Sequence, residues 1–264
     1  MGRIENKFSS LNSKNEKALI VYLTAGDPSL SVTKELILSL EKAGADILEI
    51  GVPFSDPTAD GPVIQAASQR ALKAGTTLQG VLDLVTAVRK VSEIPIVLFG
   101  YFNPIFSYGV KKFAAAASDA GVDGVLVVDL PYEEARELRD YTDAAGLDFI
   151  ALVAPTTDKE RLKKITADAT GFLYYISITG ITGTAAPQIE NIRNAAGKIR
   201  KITPLPVAVG FGISSPEQAR EIGRCADGIV IGSAVVRLID ENKNKRDLLN
   251  IVYDYICDIK KGLR

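Results

Sequence analysis

Residues 31–57 read SVTKELILSLEKAGADILEIGVPFSDP. Apolar residues in the first part recur at the spacing of one buried helical stripe, which predicts a helix over Val32–Ala43. Gly44 follows, where a helix end favours a left-handed residue. The apolar run Ile47–Ile50 then predicts a strand buried on both faces. This stretch is typical of one helix-to-strand unit of an α/β fold.

The same unit recurs along the chain. An Ala-Gly-x-Asp turn ends three predicted helices, at residues 43–46, 120–123 and 145–148. The predicted strands are Leu19–Leu23, Ile47–Ile50, Ile96–Phe99, Gly124–Val128, Asp148–Leu152, Phe172–Ile176, Val207–Val209 and Gly228–Ile231. Eight strands that alternate with helices predict a closed parallel barrel.

Amphipathic helices separate these strands, and a further helix is expected before the first strand, over Ile4–Leu11. The other predicted helices are Val32–Ala43, Leu78–Val91, Val110–Ala120, Glu133–Ala144, Lys159–Ala167, Ile189–Ile202, Pro216–Gly223 and Asp247–Ile259. An open doubly wound sheet is the main rival, but it calls for a glycine-rich turn after the first strand. The sequence there is Ala25-Gly26-Asp27-Pro28. We therefore predict an α/β fold, a single (β/α)8 TIM-barrel domain over residues 1–264.

Composition narrows the class of protein. The chain has 264 residues, a net charge of −1, two cysteines and no histidine. No basic stripe with interleaved aromatics suggests nucleic-acid binding. The first 17 residues lack the apolar region of a secretory signal, and no apolar run approaches the roughly 20 residues of a membrane span. We expect a cytoplasmic protein with no metal site, whose acid–base chemistry uses residues other than histidine.

In such barrels the functional residues lie at the carboxyl ends of the strands. Glu49 lies near the end of the second strand, and Asp60 lies in the long loop that follows. Two carboxylates that meet in one pocket can have their pKa values driven apart, as acid–base catalysis requires. Each also has an ordinary explanation, since a strand-end acid can be held by backbone groups and aspartate before glycine commonly forms a turn.

Glycines after the last three strands predict a phosphate site after strands 6, 7 and 8. They occur in Gly180–Gly183, Gly210–Gly212 and Ile231–Ala234. Bare N–H groups and a helix that starts after Gly232-Ser233 would hold an anion. Aromatic and apolar residues at strand ends, which could equally be core, would line a pocket for a flat ring: Tyr22, Phe99, Leu126, Tyr174 and Phe211. The long loops after the second and sixth strands are candidate lids.

The stretch Leu48–Gln65, LEIGVPFSDPTADGPVIQ, closely resembles the tryptophan synthase alpha-chain family. The resemblance covers essentially the whole chain and continues through Tyr22–Pro28, Tyr101–Pro104, Val128–Pro131, Ala154–Thr157, Gly180–Gly183 and Gly210–Ile213. The chain departs from the family at Tyr22, Thr58 and Val63, where phenylalanine, leucine and threonine are expected.

This resemblance implies a lyase that cleaves indole-3-glycerol phosphate to indole and glyceraldehyde 3-phosphate. It implies that Glu49, Asp60 and Tyr174 are catalytic-site residues and that Thr182, Gly183, Gly212, Gly232 and Ser233 bind substrate. It also implies a β subunit as partner in an αββα complex for tryptophan biosynthesis. Pyridoxal phosphate would belong to that partner, with no cofactor in this chain.

The residues agree with this chemistry. Carbon–carbon cleavage needs an electron sink, and no predicted strand end carries a lysine for a Schiff base. An indole ring protonated at C3 is itself such a sink. Indole-3-glycerol phosphate synthase or another phosphate-binding barrel isomerase, a structural activator without activity, and a stand-alone indole-releasing lyase remain alternative hypotheses.

Overall fold

A computed structural model describes residues 2–176, 189–210 and 212–263 of the chain. Nine parallel strands form one sheet in the order β5-β4-β3-β2-β1-β9-β8-β7-β6. They are β1 (Ala18–Thr24), β2 (Ile47–Gly51), β3 (Ile96–Gly100), β4 (Gly124–Val127), β5 (Asp148–Phe149), β6 (Ala151–Val153), β7 (Leu173–Ile176), β8 (Val207–Gly210) and β9 (Gly228–Ile231).

The two edges of this sheet are consecutive in sequence. β5 pairs with β4 and β6 pairs with β7, and only Ile150 separates β5 from β6. The sheet therefore closes into the predicted barrel. The strand predicted over Asp148–Leu152 is wrong as a single element: its two halves bond to different neighbours, and Ile150, 1% exposed, lies between them in the barrel interior.

The helices cover the outside of the barrel, except for α1, which closes one end. They are α1 (Arg3–Ser13), α2 (Leu30–Ala43), α3 (Pro62–Lys73), α4 (Leu78–Arg89), α5 (Phe102–Tyr108), α6 (Val110–Ala120), α7 (Arg136–Thr142), α8 (Lys159–Asp168), α9 (Ile189–Arg200), α10 (Pro216–Gly223), α11 (Ser233–Asn242) and α12 (Leu248–Leu263). The Ser215 hydroxyl accepts the Gln218 N–H at the start of α10, and Gly44 ends α2 with φ +105°. The start of α10 at Pro216 and the glycine that follows α2 are as the sequence predicts.

One predicted helix is too long, and two helices, α3 and α5, were not predicted. α7 is shorter than the predicted Glu133–Ala144, because Glu134 and Ala135 form i→i+3 turns after Pro131. α3 was not predicted, since its buried residues are Ala67, Ser68 and Ala71, which make no visible apolar stripe. α5 was missed because it contains Pro104, which the first turn of a helix tolerates.

The N-terminal helix α1 plugs one end of the barrel. Its buried residues Ile4, Phe8 and Leu11 pack with inward-facing strand residues, and the Phe8 and Phe172 ring centroids are 5.7 Å apart. Arg3 on the same helix bonds to Asp123, just before β4, so this is the end where the strands begin. The site must therefore open at the other end, where the strands finish.

Aspartates recur at the closed end. Asp46, Asp123 and Asp227 each precede a strand and accept the N–H of a residue in the neighbouring strand, at 2.7 to 2.9 Å. Each also pairs with a cation from a surrounding helix: Lys260 on α12, Arg89 on α4 and Arg200 on α9 respectively. These pairs attach the helices to the barrel. Within the described ranges, no helix is long and apolar enough to cross a membrane.

Candidate active site

Glu49 lies inside the barrel near the end of β2. Strand alternation places it on the same face as Ile47, a residue of the interior cluster, with Leu48 facing the helices. Its side chain is 1% exposed, and Oε1 has no hydrogen-bond partner among the described residues. Burial without a partner favours the neutral acid and raises the pKa of Glu49 to about 8. At neutral pH this carboxyl group therefore holds a proton that it can give and take back.

Asp60 lies in the loop after β2 and is half-buried. The Ala59 N–H donates to the Tyr101 hydroxyl at 3.0 Å, and a hydrogen bond also links Tyr101 to the Asp60 side chain. Burial raises the pKa of Asp60 to about 6, although the Tyr101 hydrogen bond lowers it. Asp60 is therefore mostly a carboxylate at neutral pH.

Tyr22 on β1 faces both acids. It stands beside Glu49 in the sheet register, and burial, with smaller contributions from the negative charges of Asp60 and Glu49, raises the pKa of its phenol. Its hydroxyl is 3.3 Å from the Thr24 hydroxyl, and its ring meets Phe99 edge-on, with 5.2 Å between centroids. The structure thus brings the two predicted acids to a common aromatic surface.

Tyr174 on β7 completes this wall. It is packed with Phe99 against the interior cluster that contains Leu126. Burial and the charge of Glu49 raise its pKa well above the ordinary value, so the phenol stays protonated. A Cβ on Gly210 would lie 2.1 Å from the Tyr174 hydroxyl oxygen, so only glycine leaves room for it. Four of the five predicted ring-pocket residues, Tyr22, Phe99, Leu126 and Tyr174, therefore lie together.

The predicted phosphate site is described in part. The sixth, seventh and eighth predicted strands are β7, β8 and β9, and Thr182, Gly183 and Phe211 lie outside the described residues. Gly212 has φ +68° and no atom within 4 Å of where a Cβ would stand. Gly232 precedes α11, whose first helical bond runs from the Val236 N–H to the Gly232 carbonyl at 3.0 Å. The N–H groups of that first turn are therefore not used by the helix and could face an anion.

Two residues near Asp60 were not predicted as site residues. Tyr101 follows β3 directly and could have been found as an aromatic residue at a strand end. Gln65 on α3 donates from Nε2 to the carbonyl oxygens of Asp60, at 2.8 Å, and Pro57, at 3.4 Å. No sequence signal marks Gln65, because its role depends on the path of the loop.

A separate cavity of about 290 Å³ lies beside β4–β6 and is lined by Val128, Leu152 and Arg139, among others. Glu49 and Asp60 do not line it, so it is distinct from the carboxylate site. Across the described ranges, no group of three or more His, Cys, Asp or Glu side chains is arranged to hold a metal ion.

The chain is similar to known proteins over nearly its whole length. A family model described as tryptophan synthase alpha chain matches residues 8–262. A tryptophan synthase alpha chain from Geotalea daltonii is 54% identical over 263 residues, which cover 100% of this chain and 99% of that one. The tryptophan synthase subunit alpha of Legionella pneumophila superposes with a TM-score of 0.93 at 38% identity, over 100% of this chain and 98% of its own. A tryptophan synthase complex from Pyrococcus furiosus gives 0.83 at 37% identity, over 92% and 98%.

Proposed function

The chain belongs to the tryptophan synthase alpha-chain family, lyases that cleave indole-3-glycerol phosphate, and we propose that Glu49 and Asp60 carry out that cleavage. The observation that carries this assignment is the burial of Glu49 at the open end of the barrel, with an oxygen, Oε1, that has no hydrogen-bond partner among the described residues. A buried acid without a partner is costly, and such groups concentrate where proton transfer is needed.

Glu49 acts first as an acid and then as a base. Its pKa of about 8 keeps it protonated in the resting site, and it donates this proton to ring carbon C3. The resulting carboxylate accepts the proton of the hydroxyl on the side-chain carbon attached to C3. As that hydroxyl becomes an aldehyde, the C3–carbon bond breaks and its electrons return to the ring. Indole and glyceraldehyde 3-phosphate leave, and Glu49 is protonated again.

Asp60 stabilises the charge that forms in between. Protonation at C3 leaves a positive charge shared with ring nitrogen N1, and a carboxylate that accepts the N1–H lowers the energy of that state. The Tyr101 hydrogen bond favours the ionised form of Asp60. Tyr22 and Tyr174 stay neutral, so neither phenol adds a negative charge beside the ring.

Binding of the substrate divides into two parts. Tyr22, Phe99, Leu126 and Tyr174 form the apolar wall for the indole ring, with the Tyr174 hydroxyl as a protonated donor, and Phe211 is assigned to the same wall from the sequence. The phosphate is assigned to backbone donors at Gly212, Gly232 and Ser233, together with Thr182 and Gly183. Because a helix start offers unused N–H groups, the anion needs no lysine or arginine in these loops.

The partner is the tryptophan synthase β subunit, as the Pyrococcus furiosus complex indicates for a relative. We assign the contact to the open end of the barrel, around Pro53, Asp56 and the loop after Asp129. Phe106 on α5 is 59% exposed at this end, an apolar surface that a partner would cover. Pyridoxal phosphate is assigned to the β subunit, with no cofactor in this chain, and the αββα assembly and cytoplasmic location stay predictions.

Release of indole from indole-3-glycerol phosphate tests the proposal. The purified chain is assayed alone and with a β subunit from a close relative, and its folding is checked by thermal melting. Indole release that rises when the β subunit is added is the expected result. A folded chain that releases no indole under either condition would contradict the proposed activity, and β-subunit activation without cleavage would indicate a structural activator.

A further inference from the structure

The loop that carries Asp60 is held from outside by two side chains. Within the loop, the Asp60 N–H bonds to the Pro57 carbonyl at 3.1 Å, which makes a compact turn. Tyr101 binds the Ala59 N–H on one side, and the Gln65 amide binds the Asp60 and Pro57 carbonyls on the other. The peptide group on each side of Asp60 is therefore fixed, and with it the direction of its side chain.

Helix α3, which carries Gln65, is itself anchored. The Arg70 guanidinium makes two hydrogen bonds to Asp27 in the loop after β1, at 2.8 and 2.7 Å, and approaches Asp240 on α11 at 3.2 Å. Ala67 on α3 and Val236 on α11 pack in the cluster that contains Tyr22. Gln65 thus projects from a fixed support, while three loop residues, Asp56, Thr58 and Ala59, are exposed.

We propose that Gln65 is a positioning residue for Asp60: its amide holds the Asp60 carbonyl so that the carboxylate points at the substrate's ring nitrogen. The inference rests on the proposed function of Asp60. Gln65 suits this task because its amide nitrogen can donate to both carbonyls at once. Small errors in position are costly in catalysis, since an unaligned group loses most of its effect on the transition state.

Neutrality at position 65 matters as well. Among the described residues, the titratable groups in the pocket of Asp60 are Tyr101, Tyr22 and Glu49, and all three are protonated at neutral pH. A glutamate at position 65 would turn acceptors toward two carbonyl oxygens and place a negative charge next to Asp60. That charge would disfavour the ionised form that binds the ring nitrogen. The loop should then lose the two hydrogen bonds from position 65, and the pKa of Asp60 should rise.

The experiment compares Gln65→Leu and Gln65→Glu with the same two changes at Gln69. Gln69 lies one turn further along α3 and is exposed, and its side chain has no hydrogen bond in the described part of the chain. Steady-state indole release gives kcat and KM as a function of pH, and thermal melting reports folding. We expect Gln65→Leu to lower kcat about tenfold, the worth of one hydrogen bond, with KM changed less than about threefold.

Gln65→Glu should lower kcat further and move the acidic limb of the pH profile upward by about half a pH unit or more, because its charge raises the pKa of Asp60. Both Gln69 variants should keep a kcat within about twofold of the parent value. Glutamate in the first turn of a helix is favourable, so this variant should remain folded. Folded Gln65 variants with parental kcat and an unchanged acidic limb would overturn the inference, whatever their melting temperature. A folded parent that releases no indole would instead contradict the proposed function and, with it, this inference.

Discussion

Two buried carboxyl groups at opposite ends of one strand differ in their hydrogen bonding. Asp46, just before β2, is 8% exposed, accepts the Leu19 N–H and pairs with Lys260. Glu49, three residues further along and 1% exposed, has an oxygen without a partner among the described residues. Similar burial thus comes with an ion pair and a backbone hydrogen bond for Asp46 at the closed end, and with an oxygen of Glu49 left without a partner among the described residues at the open end.

This difference indicates that Asp46 contributes to the stability of the barrel and Glu49 to its catalytic chemistry. A buried charge costs free energy that pairing and hydrogen bonding must offset, and Asp46 has both. Glu49 avoids the cost by remaining protonated, which is also the state a general acid requires. The closed end therefore holds the helices to the barrel, and the open end keeps a group that is free to exchange a proton.

Glu49→Gln should show the largest effect of any single change. Glutamine keeps the shape of the side chain but cannot transfer a proton, so kcat should fall by about 10²–10⁴-fold. Substrate binding should survive, because the ring and phosphate contacts lie elsewhere. Single-turnover cleavage, ligand affinity and thermal melting on one sample test this. A folded, substrate-binding variant that cleaves within tenfold of the parent rate would sink the assignment of Glu49.

The pH dependence of stability should also differ between the two ends. The pKa of Glu49 is about 8 in the folded chain against 4.5 for the free side chain, so the folded state holds this proton more tightly. The stability this adds is fully present below pH 4.5 and is lost as pH rises through about 8, a change of up to about 5 kcal/mol. Asp60 acts in the same direction at lower pH.

Denaturant unfolding at pH 5 and pH 8 measures this change. The parent should lose stability between the two values, and Glu49→Gln should lose much less. Equal losses in parent and variant would show that ionisation of Glu49 carries no folding cost, and the contrast with Asp46 would disappear.

Asp46→Asn should lower stability without touching the chemistry. It leaves the Lys260 ammonium group buried beside a neutral amide, which should cost about 3 kcal/mol. Asp227→Asn is the matched control, because the Asp227 side chain is 32% exposed and that of its partner Arg200 is 44% exposed, and it should cost about 1 kcal/mol or less. Urea unfolding gives both values. A tenfold loss of kcat per folded Asp46→Asn molecule would break the proposed separation of roles.

The smallest effect is expected at the phosphate site. A Cβ on Gly232 would lie 3.3 Å from the Tyr22 Cβ, and Gly212 has a positive φ, so valine at either position should disturb the backbone donors. We expect KM to rise about tenfold with a smaller change in kcat, equivalent to about 1.4 kcal/mol of binding. Inhibition by inorganic phosphate, measured alongside, should weaken in parallel. An unchanged KM in both variants would remove these residues from the phosphate site.

Much of the fold follows from local patterns. The apolar strands and the cap at Ser215 are readable because each depends on a few neighbouring residues. The break at Ile150 is not, since it arises from which strands lie on either side. Likewise, α3 could not be predicted from an apolar stripe, because its buried face is made of small residues such as Ala67 and Ala71.

The candidate site divides in the same way. Glu49 is suggested as a catalytic residue by its place near the end of an apolar strand. Asp60 becomes a convincing candidate only when it is considered together with Glu49, because an aspartate before glycine commonly forms a turn. Tyr101 could have been suspected as an aromatic residue at a strand end, whereas Gln65 could not, because it acts on backbone groups of the loop. The roles of all these side chains in catalysis remain predictions until variants are measured.

The pairing of Lys260 with Asp46 also bears on the kinetics of folding. The two residues are 214 positions apart in sequence, so their contact closes a very long loop. Closing so long a loop costs conformational entropy, and we expect this contact to form after the rate-limiting barrier has been crossed. We expect Asp46→Asn to speed unfolding and to leave the refolding rate nearly unchanged. This ion pair would then slow the unfolding of the barrel and so lengthen the lifetime of the folded state, without changing how fast the barrel forms.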